Sequence, residues 1–146
     1  MFSLHVDTAR TWRGGQNQVL LTVNGLRSIG QRAALVAHPD GELRRRFAEG
    51  LDLIPIAPHT EMDLTAAWRF ARVLKQLAPD VIHAHDPHGV AMASLALSFS
   101  SAARNRSKEP PALIASRRVD FRLKGNSFSR WKYRQVDRFI AASEAI

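Results

Sequence analysis

The chain has no cysteine among its 146 residues. That absence excludes a disulfide framework, a thiolate metal site and a cysteine nucleophile, and it suits a reducing cytosol. Long apolar runs are also missing. The longest nearly apolar stretch, VAMASLALSF at residues 90–99, falls short of the ~20 residues that a bilayer requires and reads as a buried helix. The N-terminus has no basic region followed by a long apolar one, so no secretory signal is expected. There is no G-x-G-x-x-G and no G-K-[ST], which argues against a Rossmann dinucleotide site and against a P-loop. Internal repeats and low-complexity segments are absent as well.

What is present fits one folded domain. A hydrophobic fraction of 45% belongs to a globular chain, and this length is enough to bury most of its surface on folding. The net charge of +8 is unevenly spread: residues 1–103 hold 10 Lys and Arg against 9 Asp and Glu, and residues 104–146 hold 11 against 4. A basic last third suits the phosphates of a nucleotide, a lipid surface or nucleic acid.

Strand and helix patterns alternate along the chain. FSLHVD (2–7) is a short apolar run ending in polar residues, as in a buried parallel strand. A helix follows over 15–29, with Val19, Val23, Leu26 and Ile29 on one stripe and Gly30 as its C-cap. Further strands are predicted at 33–39, 51–58, 80–86, 112–118 and 138–143. Pro55 demotes the third to an edge. Helices are predicted at 41–50, from Asp63 as N-cap to the stop at Pro79, at 87–101 and at 127–135. In the helix after Asp63, Leu64, Trp68, Ala71, Leu74 and Ala78 fall on one face. The alternation predicts an α/β domain: a Rossmann-like parallel sheet with helices on both faces. Ser143 looks like the N-cap of a further helix, so residues 1–146 read as the front part of something longer.

In such a sheet, ligands bind beyond the carboxyl ends of the strands. The first end supplies DTARTWRGGQNQ, the fourth His85, Asp86, Pro87 and His88, the fifth Ser116, Arg117 and Arg118, and the sixth Ser143 and Glu144. Gly14 and Gly15 let a ligand approach the backbone, and the helix that follows points free N–H groups and the positive end of its dipole at that space. A phosphate would suit it; so would a plain flexible turn before a helix. His83 and His85 share one face of a strand, and H-x-H can bind a metal, but a third ligand is not evident nearby. His83 reads as a core histidine, His85 as a substrate contact, and Asp86 as either a second contact or the cap of the next helix. The segment SRRVDFRLKGNSFSRWKYRQVDR mixes Arg and Lys with Phe121, Phe128, Trp131 and Tyr133. That mixture suits phosphate oxygens, anionic membranes or single strands, or a solvated basic helix with its aromatics on the core.

The combination of LHVDTARTWRGGQNQ, DVIHAHDPHG, ALIASRRVDF and WKYRQVDRFIAASEAI resembles the N-terminal domain of family 4 glycosyltransferases of GT-B fold, in their bacterial members. The resemblance covers nearly the whole chain. It implies an acceptor-side domain over residues 1–146, with the C-terminal nucleotide-sugar domain absent. It implies retaining, metal-independent transfer from a nucleotide-sugar donor, with no cofactor. By the same resemblance Gly14 and Gly15 border the donor diphosphate and His85 lies near the reacting sugar. Trp12, Arg13, Gln16, Asp86, Arg117 and Arg118 are then candidate acceptor contacts, and Ser143 and Glu144 further cleft residues. The expected acceptor is a glycan or a lipid-linked molecule of the cell envelope, such as lipopolysaccharide. The expected location is cytoplasmic, peripheral to the inner face of an anionic membrane, with no nucleic-acid partner. One departure matters: the family's pair of glutamates seven residues apart lies in the other domain. Glu42 and Glu49 have only six residues between them, so this chain alone is expected to be inactive. A stand-alone α/β module that binds a nucleotide or an anionic polymer is the alternative.

Overall fold

The computed structural model describes residues 1–47, 52–102, 109–118 and 125–141. Within them, strands and helices alternate as β1 (Phe2–Asp7), α1 (Gly14–Ser28), β2 (Arg32–Ala37), α2 (Glu42–Arg46), β3 (Leu53–Pro55), α3 (Leu64–Leu77), β4 (Val81–Ala84), α4 (Pro87–Ala102), β5 (Ala112–Arg117), α5 (Ser127–Arg134) and β6 (Arg138–Ala141). The strands form one parallel sheet in the order β3-β2-β1-β4-β5-β6. This is the α/β architecture that the alternation predicts, and Pro55 does lie on an edge strand, where a missing N–H is harmless. No described helix is long and apolar enough to cross a membrane.

Each face of the sheet has its own core. Leu4, Val6, Ile82, Ala84, Leu113 and Ala115 point to the face covered by α3 and α4. Ala33, Leu35 and Ala37 point to the face covered by Val19 and Val23 of α1 and by Leu43 of α2. β1 lies at the centre and is buried along its whole length. Its alternation sends Phe2, Leu4 and Val6 one way and Ser3, His5 and Asp7 the other. One side of the central strand therefore carries a buried polar ladder.

The ends of the helices follow local chemistry. Gly30 has φ +81. Its N–H donates to the Arg27 carbonyl and that of Gln31 to the Leu26 carbonyl, both at 3.0 Å; this is the paired closure that a left-handed glycine permits. Asp63 caps α3 by accepting from the Ala66 N–H at 3.0 Å.

Two predicted faces are corrected. In α3 the buried residues are Ala66, Ala67, Phe70 and Leu74, whereas Leu64 is 56% exposed and Trp68 53%. The small alanines let α3 pack closely beside α4 and rotate its stripe toward Phe70, which is fully buried. Trp68 is left outside with the Arg72 guanidinium 5.1 Å from its ring centre. In α1, Val19 and Val23 are buried but Ile29 is exposed, because the helix has already ended at Ser28. The buried helix read from VAMASLALSF is present: Val90, Ala91, Met92, Ala93, Ser94 and Ala96 are all buried.

Candidate functional site

The site begins where the sheet changes direction. From β1 the chain runs outward through β2 to β3, then crosses back to β4 on the other side of β1. Loops leaving β1 and β4 therefore part company, and a crevice opens at their carboxyl ends. A cleft of about 640 Å³ lies there, lined among others by Gly15, His85, Asp86, Arg117, Arg118 and Lys132.

Asp7 and Asp86 anchor the floor. Asp86 precedes Pro87, the first residue of α4. It accepts from the Thr8 N–H at 3.0 Å and the Thr8 hydroxyl at 2.5 Å, and also from the Gly89 N–H. It is thus the N-cap of α4 and the tie between β1 and α4. Asp7 accepts from the Ala9 N–H at 3.0 Å and from the Gln16 amide at 3.1 and 3.2 Å. Gln16 in turn accepts from the Arg13 N–H at 3.1 Å, which locks the turn ahead of α1. Burial pushes the Asp7 carboxyl up to about 6, and the neighbouring Asp86 adds to this, against the Ala9, Gln16 and Arg118 contacts. Asp86 is raised as well, chiefly by burial.

Three imidazoles line the adjoining wall. His5 and His83 are register partners on β1 and β4, and His85 stacks on His83 with ring centres 4.0 Å apart. His5 Nδ1 and His85 Nε2 are 3.0 Å apart, and His5 Nε2 and Ser3 Oγ are 3.1 Å apart. His83 Nε2 meets Ser116 Oγ at 2.7 Å. Burial lowers His5 to about 3 and His83 to about 4, with help from His83 and Arg118 respectively. His85 falls well below the ordinary imidazole value, first through burial and then through His83, His5 and Arg118. All three rings are therefore neutral at pH 7. Their ligand atoms lie within 4.8 Å of one another. The third imidazole that H-x-H lacks in the sequence is His5, 78 residues before His83.

Arg118 closes the ring of contacts. Its Nη1 donates to the Gly15 carbonyl at 2.6 Å and its Nη2 to His85 Nδ1 at 2.9 Å. The glycine turn, the fourth strand end and the fifth strand end therefore meet at one guanidinium. Lys132, which also lines the cleft, is buried, pairs with Glu61 and donates to the Pro87 carbonyl at 3.4 Å. With Arg13 and Arg117 also on the cleft wall, the hollow is lined by several basic side chains. Arginine and the open N-terminus of α1 are groups that hold phosphate oxygens.

The residues singled out from the sequence divide into groups. Gly15, Arg13, Gln16, His85, Asp86, Arg117 and Arg118 come together at the cleft. Gly14 starts α1 beside them. Gln16 and Asp86 are bound into the scaffold rather than offered to a ligand. Trp12 packs on the α1–α2 core under the Arg46 guanidinium, 4.2 Å from the ring centre, and does not line the cleft. Ser143 and Glu144 lie outside the described residues. Ser3, His5, Glu61 and Lys132 were missed, and Asp7 entered only as the first residue of the DTARTWRGGQNQ strand end. For Ser3, His5 and Asp7 a signal existed: strict alternation in FSLHVD puts every polar residue of a buried strand on one side.

Residues 13–146 match the family model of the glycosyl transferase 4-like domain. No curated protein sequence matches the chain. Among solved structures, the apo form of the lipopolysaccharide outer core galactosyltransferase WaaB superposes with a TM-score of 0.69 at 10% identity, over 99% of this chain and 40% of that one. Anabaena Alr3699/HepE in complex with UDP gives 0.71 at 14% identity, over 99% and 38%. Acinetobacter baumannii MurG gives 0.67 at 13% identity, over 98% and 42%. The fold is that of the N-terminal half of a GT-B enzyme, and the chain spans about 40% of the length of these structures.

Proposed function

The chain belongs to the family of glycosyl transferase 4-like domains, and from that premise we propose that it is the acceptor-side half of a retaining glycosyltransferase. The donor is a nucleotide sugar, and the acceptor is a glycan or lipid-linked molecule of cell-envelope polysaccharide or lipopolysaccharide synthesis. No metal or other cofactor takes part. The protein works in the cytoplasm, at the periphery of an anionic membrane. The C-terminal nucleotide-sugar half is supplied beyond these residues, and without it the chain is inactive. Support for the donor class comes from HepE, solved with UDP and with UDP-glucose; WaaB supports the envelope acceptor.

The observation that carries the reading is the meeting of Gly15, His85 and Arg118 at the switch point of the sheet. As a sugar leaves a diphosphate, negative charge grows on the leaving oxygen. Preoriented N–H groups and a fixed guanidinium stabilise that charge without reorganising. The α1 start and Arg118 are this half's contribution. Closure of the second domain over the cleft excludes water and protects the donor from hydrolysis.

The test is transfer of labelled sugar from a panel of nucleotide sugars to envelope lipid extracts, using the two-domain protein that contains this chain. Transfer by that protein and none by residues 1–146 alone is the expected result. A Cβ at Gly15 would meet Arg118 Nη1 at an ordinary 3.5 Å, so Gly15→Ala keeps the fold and activity, whereas Gly15→Trp keeps the fold and abolishes transfer. Wild-type turnover by Gly15→Trp would remove the glycine turn from the mechanism. Absence of transfer from every donor would remove the reading itself.

A further inference from the structure

The three histidines pose a choice that their spacing alone leaves open: a metal site, or a hydrogen-bonded relay. Each ring has one nitrogen held by an outer partner, namely Ser3 for His5, Ser116 for His83 and Arg118 for His85. That outer anchoring is how metal-binding imidazoles are oriented, and an inward nitrogen on each ring falls within 4.8 Å of the others. Neutral imidazoles are also the form that binds a metal.

Arg118 decides the matter. A guanidinium donates hydrogen bonds and accepts none. At 2.9 Å its Nη2–H needs a lone pair on His85 Nδ1. In a neutral ring the proton then sits on Nε2. That Nε2–H faces His5 Nδ1 at 3.0 Å, so Nδ1 of His5 is the acceptor and the His5 proton sits on Nε2. His5 Nε2–H donates onward to Ser3 Oγ at 3.1 Å. One donor at the cleft thereby fixes two tautomers in the interior. A metal could take His85 Nε2 only by expelling its proton, and the Arg118 bond holds that proton in place.

We propose that Arg118 locks a hydrogen-bonded relay running from its guanidinium through His85 and His5 to Ser3, and that this lock keeps the three-histidine cluster closed to divalent metals. Both nitrogens of His85 are engaged within the protein, so the group that faces a ligand in the cleft is the Arg118 guanidinium. Gly15 holds one of its edges and His85 another. His85 acts through Arg118. The proposal deepens the glycosyl-transfer reading but rests only on the geometry, and its test reads protons and metal rather than turnover. Its failure would leave that reading standing.

The experiment is two-bond ¹H–¹⁵N correlation on the histidine-labelled 146-residue chain, followed by titration with Co²⁺. In the wild type, His5 and His85 are expected as neutral Nε2–H tautomers, with no stoichiometric uptake of Co²⁺. Arg118→Leu should lose the single tautomer at His85 and gain one equivalent of Co²⁺ that shifts all three imidazoles. Arg118→Lys, which keeps a donor, should restore the wild-type tautomer. A wild-type His85 carrying its proton on Nδ1 overturns the relay. Stoichiometric Co²⁺ in the wild type, or none in a folded Arg118→Leu, overturns the lock. Should Arg118→Leu fail to fold, the wild-type tautomers and the wild-type titration still decide.

Discussion

Lys132 of α5 is buried to within 1% of its surface, and its ammonium meets the carboxylate of Glu61, 71 residues earlier in the chain. The pair pins α5 to the loop that leads into α3, and the Pro87 carbonyl shares the ammonium at the start of α4. Lys132 and Glu61 both line the cleft. Removing one member leaves the other charge poorly solvated; removing both lets apolar surface close. Lys132→Met alone is expected to cost about 3 kcal/mol. The double variant Lys132→Met with Glu61→Leu should recover most of that loss. Urea unfolding of the single and double variants measures the difference, and a double variant no better than the single would show that the pair contributes more than its mutual neutralisation.

Much of this fold was legible because helices and strands carry different periods. The six strands, their parallel direction and the N-cap at Asp63 follow from local pattern. Pro55 marks its edge strand through a single covalent fact, the missing N–H. What stayed hidden depends on neighbours distant in sequence. Trp68 shares a helical stripe with Leu74 on paper, but the packing of α3 beside α4 turns Phe70 inward instead. His5 gains its meaning only when β1 and β4, far apart in sequence, are paired. Lys132 looks like one more member of a basic run until Glu61 is folded against it. The strand ends told which residues would reach the cleft, but not that Gln16 and Asp86 would be consumed in holding it together.

Gly89 is a glycine because of what lies next to it. A Cβ there would sit 2.7 Å from Asp86 Oδ1 and 3.2 Å from Val6 Cγ1. To make room, the carboxylate must leave the Thr8 N–H that it accepts from, or α4 must lift off β1. Gly89→Ala is expected to lose about 2 kcal/mol. Gly25 of α1 provides the control, since a Cβ there meets nothing within 4 Å. Gly25→Ala should be stabilising by up to about 1 kcal/mol, because alanine loses less backbone entropy in a helix. Thermal or urea unfolding of the two variants would show opposite signs; equal effects would contradict the contact at Asp86.

Ala78 ends α3 in the left-handed region, with φ +46. Its N–H donates to the Leu74 carbonyl at 2.9 Å, and Pro79 bars any further helix. An alanine Cβ makes this conformation costly by roughly 1–2 kcal/mol, a cost that glycine avoids. Glycine loses part of that gain through its freer unfolded chain. Ala78→Gly is therefore expected to raise stability by about 0.5–1 kcal/mol. An unfolding midpoint that moves down instead would argue that the left-handed turn is not retained in solution.

The buried titratable groups set an acid limit on the fold, and they do not all act in one direction. His5, His83 and His85 are depressed below the ordinary value of 6.5, each chiefly by burial; His83 adds to this at His5, Arg118 at His83, and His83, His5 and Arg118 at His85. As pH falls below 6.5 the unfolded chain takes up protons that the native rings refuse, so stability present above pH 6.5 is lost progressively, down to about pH 4 for His83 and about pH 3 for His5. For His83, lowered to about 4, this is on the order of 3 kcal/mol at one pKa unit per 1.36 kcal/mol. Asp7, raised to about 6, works the other way: between pH 6 and 4 the native carboxyl holds a proton that the unfolded one releases, so acid relieves its burial cost. Asp86 is raised in the same direction. His5 and His83, lowered to about 3 and about 4, together exceed Asp7, raised to about 6, so the wild type should lose stability between pH 7 and 4.5. His83→Gln should flatten that loss. Asp7→Asn should steepen it by removing the compensating proton. Urea midpoints at the two pH values provide the check, and a wild type that gains stability on acidification would mean that the imidazoles are not held neutral in the native state.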